Sequence, residues 1–189
     1  RGDRTAQHLC PFHIGGAVEI LDLIGQRQVP ARLDIHVAAG VLTDGRIFID
    51  AHGMETQVFD VQDGAGIIYL QRAGIKTAII TGRSVKATRY RARQLRITEL
   101  HQDAMKKPKA LDKIMRKYKI PARRICYVGD DLPDIPVMRR VGYAVAVRNA
   151  RPEVKRHADY ITTLTGGRGA IRELAEKILK AQGKWQTII

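Results

Sequence analysis

Three carboxylates fall within five residues in the run Val128-Gly129-Asp130-Asp131-Leu132-Pro133-Asp134, an apolar strand pattern followed by a glycine turn. Carboxylates crowd this closely where a cation offsets their repulsion or where each is separately solvated. Magnesium at the carboxyl end of a strand meets the first condition. Capping of the following helix by Asp130 or Asp131 is the structural alternative, favoured electrostatically at a helix N-terminus. A second apolar run ends in Thr81-Gly82-Arg83-Ser84. There a hydroxyl, free backbone N–H groups and a helix dipole together form a phosphate cradle, although Ser84 serves equally well as a plain N-cap. A third signal is lysine after Leu100-His101-Gln102, where Lys106, Lys107 and Lys109 are candidates for neutralising a phosphate.

These residues need elements that bring them to one place. From Arg32 onward, short apolar runs alternate with amphipathic stretches, the signature of a parallel sheet covered by helices. The strand runs are 37–42, with 33–35 as an extension, then 76–81, 124–128, 143–147 and 160–161. Helices are expected at 63–73, 84–95, 107–118, 131–141 and 168–181, with Gly183 ending the last. Leu111, Ile114, Met115 and Tyr118 sit at helical spacing and are assigned to the core. Residues 46–50 and 54–59 read as a hairpin turning at His52-Gly53, a flap over the site. In open α/β sheets the ligand crevice lies at the carboxyl ends of the strands, so the acidic turn and the Thr81 turn are expected to converge. Residues 1–31 form a segment of unclear structure, with a short helix expected at 17–24, and 32–189 form one domain.

The composition, 44% hydrophobic and 28% charged, is that of a single soluble domain with a real core. No run reaches the roughly 20 apolar residues of a membrane span, and the first residues lack a secretory layout; the expected location is the cytoplasm. A chain beginning at Arg1 rather than methionine is expected to have a processed, trimmed or incompletely described N-terminus. Cys10 and Cys126 are far apart, and Cys126 lies in an apolar run, so a buried, reduced thiol is expected. The formal charge of +14 attracts polyanions at low salt. Its cations are nevertheless spread over several helices, and 5% aromatics leave few stacking platforms. Nucleic acid is therefore not the expected partner, and phosphorylated metabolites are.

Taken in order, Gly40-Val41-Leu42-Thr43-Asp44-Gly45, 59–66, Thr81-Gly82-Arg83, Lys107, Gly129-Asp130-Asp131 and Gly166-Gly167-Arg168-Gly169-Ala170 resemble the haloacid dehalogenase superfamily. Within it they resemble the capless phosphatases of 3-deoxy-D-manno-octulosonate 8-phosphate, over about residues 32–183. The resemblance implies a Rossmann-like parallel sheet flanked by helices, with a projecting β-hairpin flap and no large cap domain. It implies a Mg2+-dependent phosphomonoester hydrolase of lipopolysaccharide biosynthesis, acting on a sugar-acid phosphate through an aspartyl-phosphate and assembled as a homotetramer. By the same similarity, Thr81, Gly82 and Arg83 bind phosphate, Lys107 steadies phosphate and nucleophile, and Asp130 holds magnesium with Asp131 beside it. Arg168 recognises substrate, across a subunit boundary.

The chain departs from the family at one point. The family has Asp-x-Asp before Gly-Val-Leu-Thr-Asp-Gly, the first Asp attacking phosphorus and the second acting as acid and base. An ungapped register puts Val37 and Ala39 there, and neither can attack or transfer a proton. A register with an inserted bulge puts Asp34 at the nucleophile and metal position and His36 at the proton-transfer position, chemistry that histidine can perform. A third possibility is that the stretch before Gly40 has been altered outright. Without a family role, Asp34 is a surface aspartate and His36 an ordinary strand histidine. With fewer carboxylates, magnesium is expected to be held loosely or through water. The rival to an active enzyme is an impaired homologue that binds sugar phosphates or partners without turnover.

Overall fold

The computed structural model describes residues 27–30, 32–38, 40–97 and 99–188, with the side chains of 35–38 outside that description. Cys10, the helix expected at 17–24, the side chains of His36 and Val37, and all of Ala39 lie outside the described residues.

Among the described residues a six-stranded sheet forms the centre, in the order β5-β4-β1-β6-β7-β8. Its strands are β1 (Ile35–Ala38), β4 (Lys76–Ile80), β5 (Glu99–His101), β6 (Ile125–Gly129), β7 (Tyr143–Ala146) and β8 (Tyr160–Ile161), and every neighbouring pair is parallel. β6 and β7 are buried along their whole length, as expected of strands covered on both faces. A separate antiparallel pair, β2 (Phe48–Ile49) and β3 (Glu55–Thr56), is the projecting hairpin. Its turn is organised by Asp50, whose carboxylate accepts from the N–H groups of His52 and Met54 at 2.9 and 2.8 Å.

Among the described residues the helices are α1 (Val61–Arg72), α2 (Lys86–Gln94), α3 (Lys107–Tyr118), α4 (Ile135–Met138), α5 (Pro152–Lys155) and α6 (Ala170–Ala181). Asp60 caps α1 by accepting from Gln62 N–H at 2.6 Å. α6 buries Ile171, Leu174 and Ile178 completely, each contributing about 1.5–3 kcal/mol of transfer free energy. Cys126 is buried, as its apolar setting implied, and free among the described residues, and burial pushes its thiol pKa upward. No described helix is long and apolar enough to cross a membrane.

Two sequence expectations are corrected, and two elements were not foreseen. The first strand ends at Ala38, and 40–42 close into a 3-10 turn instead of continuing it. The helix expected at 131–141 is a 3-10 turn (Leu132–Asp134) followed by the short α4, because Pro133 and Pro136 remove backbone donors. Edge strand β5 and helix α5 were not foreseen, since three or four residues carry too little periodicity to register.

Candidate active site

The chain passes from β1 to β4 on one side and later returns to β6 on the other, so the strand order switches at β1. A crevice opens there at the carboxyl ends of the strands. The cavity measures about 320 Å³; Gly40 and Thr43 form one wall, Thr81 and Arg83 a second, Asp130 and Asp131 a third, and the hairpin side adds Arg46, Gln57 and Phe59. Strand ends thus bring together groups 40 to 90 positions apart.

Each wall has a local cause. β4 ends at Ile80, and Thr81 N–H bonds to the His101 carbonyl at 2.9 Å, which fixes the loop before Arg83. Thr81 Oγ1 accepts from Arg83 N–H at 3.2 Å, so the hydroxyl oxygen sits inside the Thr-Gly-Arg turn. The turn after β1 is held from above by the glycine-rich loop. Gly167 N–H bonds to the Val41 carbonyl at 2.9 Å, and a Cβ on Gly167, whose φ is +66°, would fall 2.3 Å from the Thr43 carbonyl carbon. Arg168 in that loop reaches Asp44 at 3.6 Å and stands at the rim, outside the cavity lining.

The acidic turn is built around Asp134. Asp134 is fully buried and accepts four hydrogen bonds: Lys107 Nζ and Tyr127 OH on Oδ1, each at 2.6 Å, and the N–H groups of Asp130 and Asp131 on Oδ2 at 3.1 and 3.2 Å. The turn can close this tightly only because residue 129 is glycine; a Cβ there would lie 2.6 Å from Asp134 Cβ. Lys107 therefore sits one layer behind the cavity, 8% exposed, with its ammonium anchored below Asp130. Asp134 is a structural carboxylate, not a spare cation ligand. Asp131 is exposed and caps the 3-10 turn through Leu132 N–H at 2.8 Å, so the capping role considered from sequence belongs to it.

Asp130 faces the segment after β1, where a Cβ on Gly40 would lie 3.9 Å from its Oδ1. Burial, then the neighbouring Asp134, raise its carboxyl pKa to about 6 against the opposing pull of Lys107. A buried carboxylate that holds its proton so firmly is one whose charge a divalent ion would relieve. Among the described residues no three His, Cys, Asp or Glu side chains cluster to cage a metal. Magnesium commonly binds through one or two carboxylates with water and a substrate phosphate completing its shell. Asp130, with Asp131 at the rim, fits that mode.

Asp34 is not part of this site. Its N–H bonds to the Arg124 carbonyl and its carbonyl accepts from Lys76 N–H, both at 2.9 Å, which sets it level with the starts of β6 and β4. Asp130 follows the end of β6, six residues further along, roughly 20 Å away at ~3.3 Å per residue. Its carboxylate is paired instead with Arg124 and Arg32. No ion can be shared between Asp34 and Asp130 across that distance, and among the described residues Ile35–Ala38 pair one for one with β4 and β6, without a bulge. In the sheet, Val37 lies beside Ala78 and Tyr127.

Sequence reasoning missed the hairpin's share of the site. Glu55 Oε2 pairs with Arg83 Nη2 at 2.7 Å, Gln57 accepts from Thr88 OH at 2.8 Å, and Arg91 lies 5.9 Å over the Phe59 ring. The flap was legible, but which of its side chains face inward depends on how the hairpin leans on α2. The role of Tyr127 was also missed, because its apolar run marks it as core.

Comparison with known proteins finds relatives of this chain in sequence and in fold. The model of haloacid dehalogenase-like hydrolases matches residues 94–174. The chain is 44% identical over 153 residues to the 3-deoxy-D-manno-octulosonate 8-phosphate phosphatase of Escherichia coli K12, covering 81% of each protein. Its fold matches the Moraxella catarrhalis 3-deoxy-D-manno-octulosonate 8-phosphate phosphatase, solved with magnesium, phosphate and KDO, with a TM-score of 0.81 at 40% identity, covering 83% of this chain and 92% of that one. The cobalt-bound Haemophilus influenzae phosphatase matches with a TM-score of 0.80 at 34% identity, over 83% of this chain and 93% of that one.

Proposed function

The chain belongs to the 3-deoxy-D-manno-octulosonate 8-phosphate phosphatase family of haloacid dehalogenase-like hydrolases, and from that membership we propose that its cavity takes the phosphate of this sugar acid for phosphomonoester hydrolysis. The observation that carries the proposal is the meeting of Thr81, Arg83 and Asp130 around one cavity, with Lys107 anchored behind them.

In this reading the Thr81 hydroxyl and the Arg83 guanidinium grip the phosphate oxygens, while Lys107 and Asp134 hold the acidic turn in place. Magnesium held at Asp130 would neutralise developing charge on the phosphoryl group. Arg168, at the rim beside Asp44, meets the sugar acid or a neighbouring subunit in this reading, which its ion pair with Asp44 beside the cavity supports. Asp130 and Asp131 are the only carboxylates among the described residues lining the cavity, so no attacking carboxylate is assigned. Family membership supports a cytoplasmic role in lipopolysaccharide biosynthesis. A homotetramer is supported by the exposed apolar hairpin, where Ile49 and Met54 are 67% and 62% exposed.

One observation favours a second reading, a homologue that binds sugar phosphates or partners without turnover: read without a gap, the sequence has Val37 and Ala39 ahead of Gly40-Val41-Leu42-Thr43-Asp44-Gly45, where the family motif has two aspartates. Phosphate release from 3-deoxy-D-manno-octulosonate 8-phosphate with magnesium, with and without chelator, decides between them. Release that chelator abolishes, and that Lys107→Ala and Asp130→Asn each lose, supports hydrolysis. Binding without release, converted to release by Val37→Asp together with Ala39→Asp, selects the second reading. Neither binding nor release in any of these proteins would sink both.

A further inference from the structure

Resting on the proposed phosphate site, we infer that Tyr127 is a positioning residue for Lys107. Tyr127 and Gly129 project to the same face of β6, since side chains alternate along a strand. Asp134 folds over the bare Gly129 and brings its Oδ1 within 2.6 Å of the Tyr127 hydroxyl. The same oxygen receives Lys107 Nζ at 2.6 Å. A single carboxylate oxygen thus serves a cation and a phenol, while its twin holds the N–H groups of Asp130 and Asp131.

Dividing Oδ1 in this way has two physical consequences. The phenol fixes the rotation of the Asp134 carboxylate, so Lys107 has one seat rather than several. Each hydrogen bond an oxygen accepts also reduces the negative charge it offers to the next donor. Lys107 is therefore held less tightly by Asp134 than in a bare buried ion pair, and more of its positive field reaches the cavity. Without the hydroxyl, the unsatisfied buried carboxylate draws on its one remaining side-chain donor, and phosphate loses attraction. Tyr127 is 0% exposed and cannot touch a ligand, so its influence passes entirely through Asp134 and Lys107.

Tyr143 supplies a matched control. It too is 0% exposed, lies on the adjacent strand β7, and its hydroxyl has no hydrogen-bond partner among the described residues. Calorimetric titration of inorganic phosphate, in magnesium, into the full chain, Tyr127→Phe, Tyr143→Phe, Lys107→Met and the Tyr127→Phe/Lys107→Met double variant tests the inference. Expected is roughly a three- to tenfold weaker phosphate affinity for Tyr127→Phe, no change for Tyr143→Phe, and no further loss from Tyr127→Phe once Lys107 is gone. Undiminished affinity in Tyr127→Phe overturns the inference, as does an equal loss with and without Lys107, the mark of general loosening. Should Lys107→Met not fold, the comparison of the two tyrosine variants decides alone. A full chain that binds no phosphate removes the proposed function itself and this inference with it, an outcome distinct from normal binding with a silent Tyr127→Phe.

Discussion

Asp63 and Ile171 are joined by a buried hydrogen bond, Ile171 N–H to Asp63 Oδ1 at 2.8 Å, linking helices α1 and α6 across 108 residues of sequence. The same carboxylate accepts from the N–H groups of Gly169 and Arg172, both at 3.2 Å. One side chain on α1 thus satisfies the amino end of α6, where backbone donors lack partners within their own helix. Asp63→Ala is expected to cost about 2–3 kcal/mol, more than an ordinary surface cap. Urea unfolding followed by circular dichroism measures it, and a cost below ~1 kcal/mol would show that water replaces the carboxylate there.

The Lys107–Asp134 pair behaves differently when halved than when removed whole. Asp134→Ala leaves the ammonium buried without its partner and frees the N–H groups of Asp130 and Asp131, an expected loss of about 3–5 kcal/mol. Changing Lys107→Met and Asp134→Leu together is expected to recover part of that loss, since two apolar groups carry no desolvation penalty. Thermal melts of the three proteins report the order.

Magnesium binding should follow the Asp130 proton. With its pKa raised to about 6, the carboxyl is mostly protonated at pH 5 and ionised at pH 7.5. Protons and metal compete for the same oxygens, so magnesium affinity is expected to fall about tenfold between pH 7.5 and pH 5. The rise in melting temperature on adding magnesium should shrink accordingly, and in Asp130→Asn it should be absent at both values. A rise that survives in the variant would place the ion elsewhere.

Glu99 ties edge strand β5 to α3 through Lys117 Nζ at 2.5 Å and Tyr118 OH at 2.6 Å. Desolvation tends to raise its pKa, but the bonds from Lys117 and Tyr118 outweigh it, and the net shift is downward from 4.5. A carboxylate with a depressed folded pKa adds stability that is present above the unfolded value and lost as pH falls through the folded one. Glu99→Gln should therefore melt below the parent at pH 7, with the gap closing as pH drops below about 4.5. A gap independent of pH would mean that the amide change acts through packing rather than charge.

What the sequence determined by itself was the set of strand tips and their contents. The alternation of apolar runs with amphipathic stretches dictates a parallel sheet under helices, and a parallel sheet gathers ligand residues at one edge; Thr81 and Asp130 could thus be paired across 48 intervening residues. The helix at Lys107–Tyr118 and the hairpin turn were equally plain, because their signals are local. The fate of Asp34 was settled only by tertiary structure. A strand's pattern tells which face a side chain takes, not how far along the sheet it lies, and two backbone bonds to Arg124 and Lys76 put Asp34 at the far edge. The same holds for Tyr127, which reads as one more apolar position until Asp134 folds back over Gly129. Partners for a buried hydroxyl come from whatever the chain later packs against it, and spacing along the chain does not encode that.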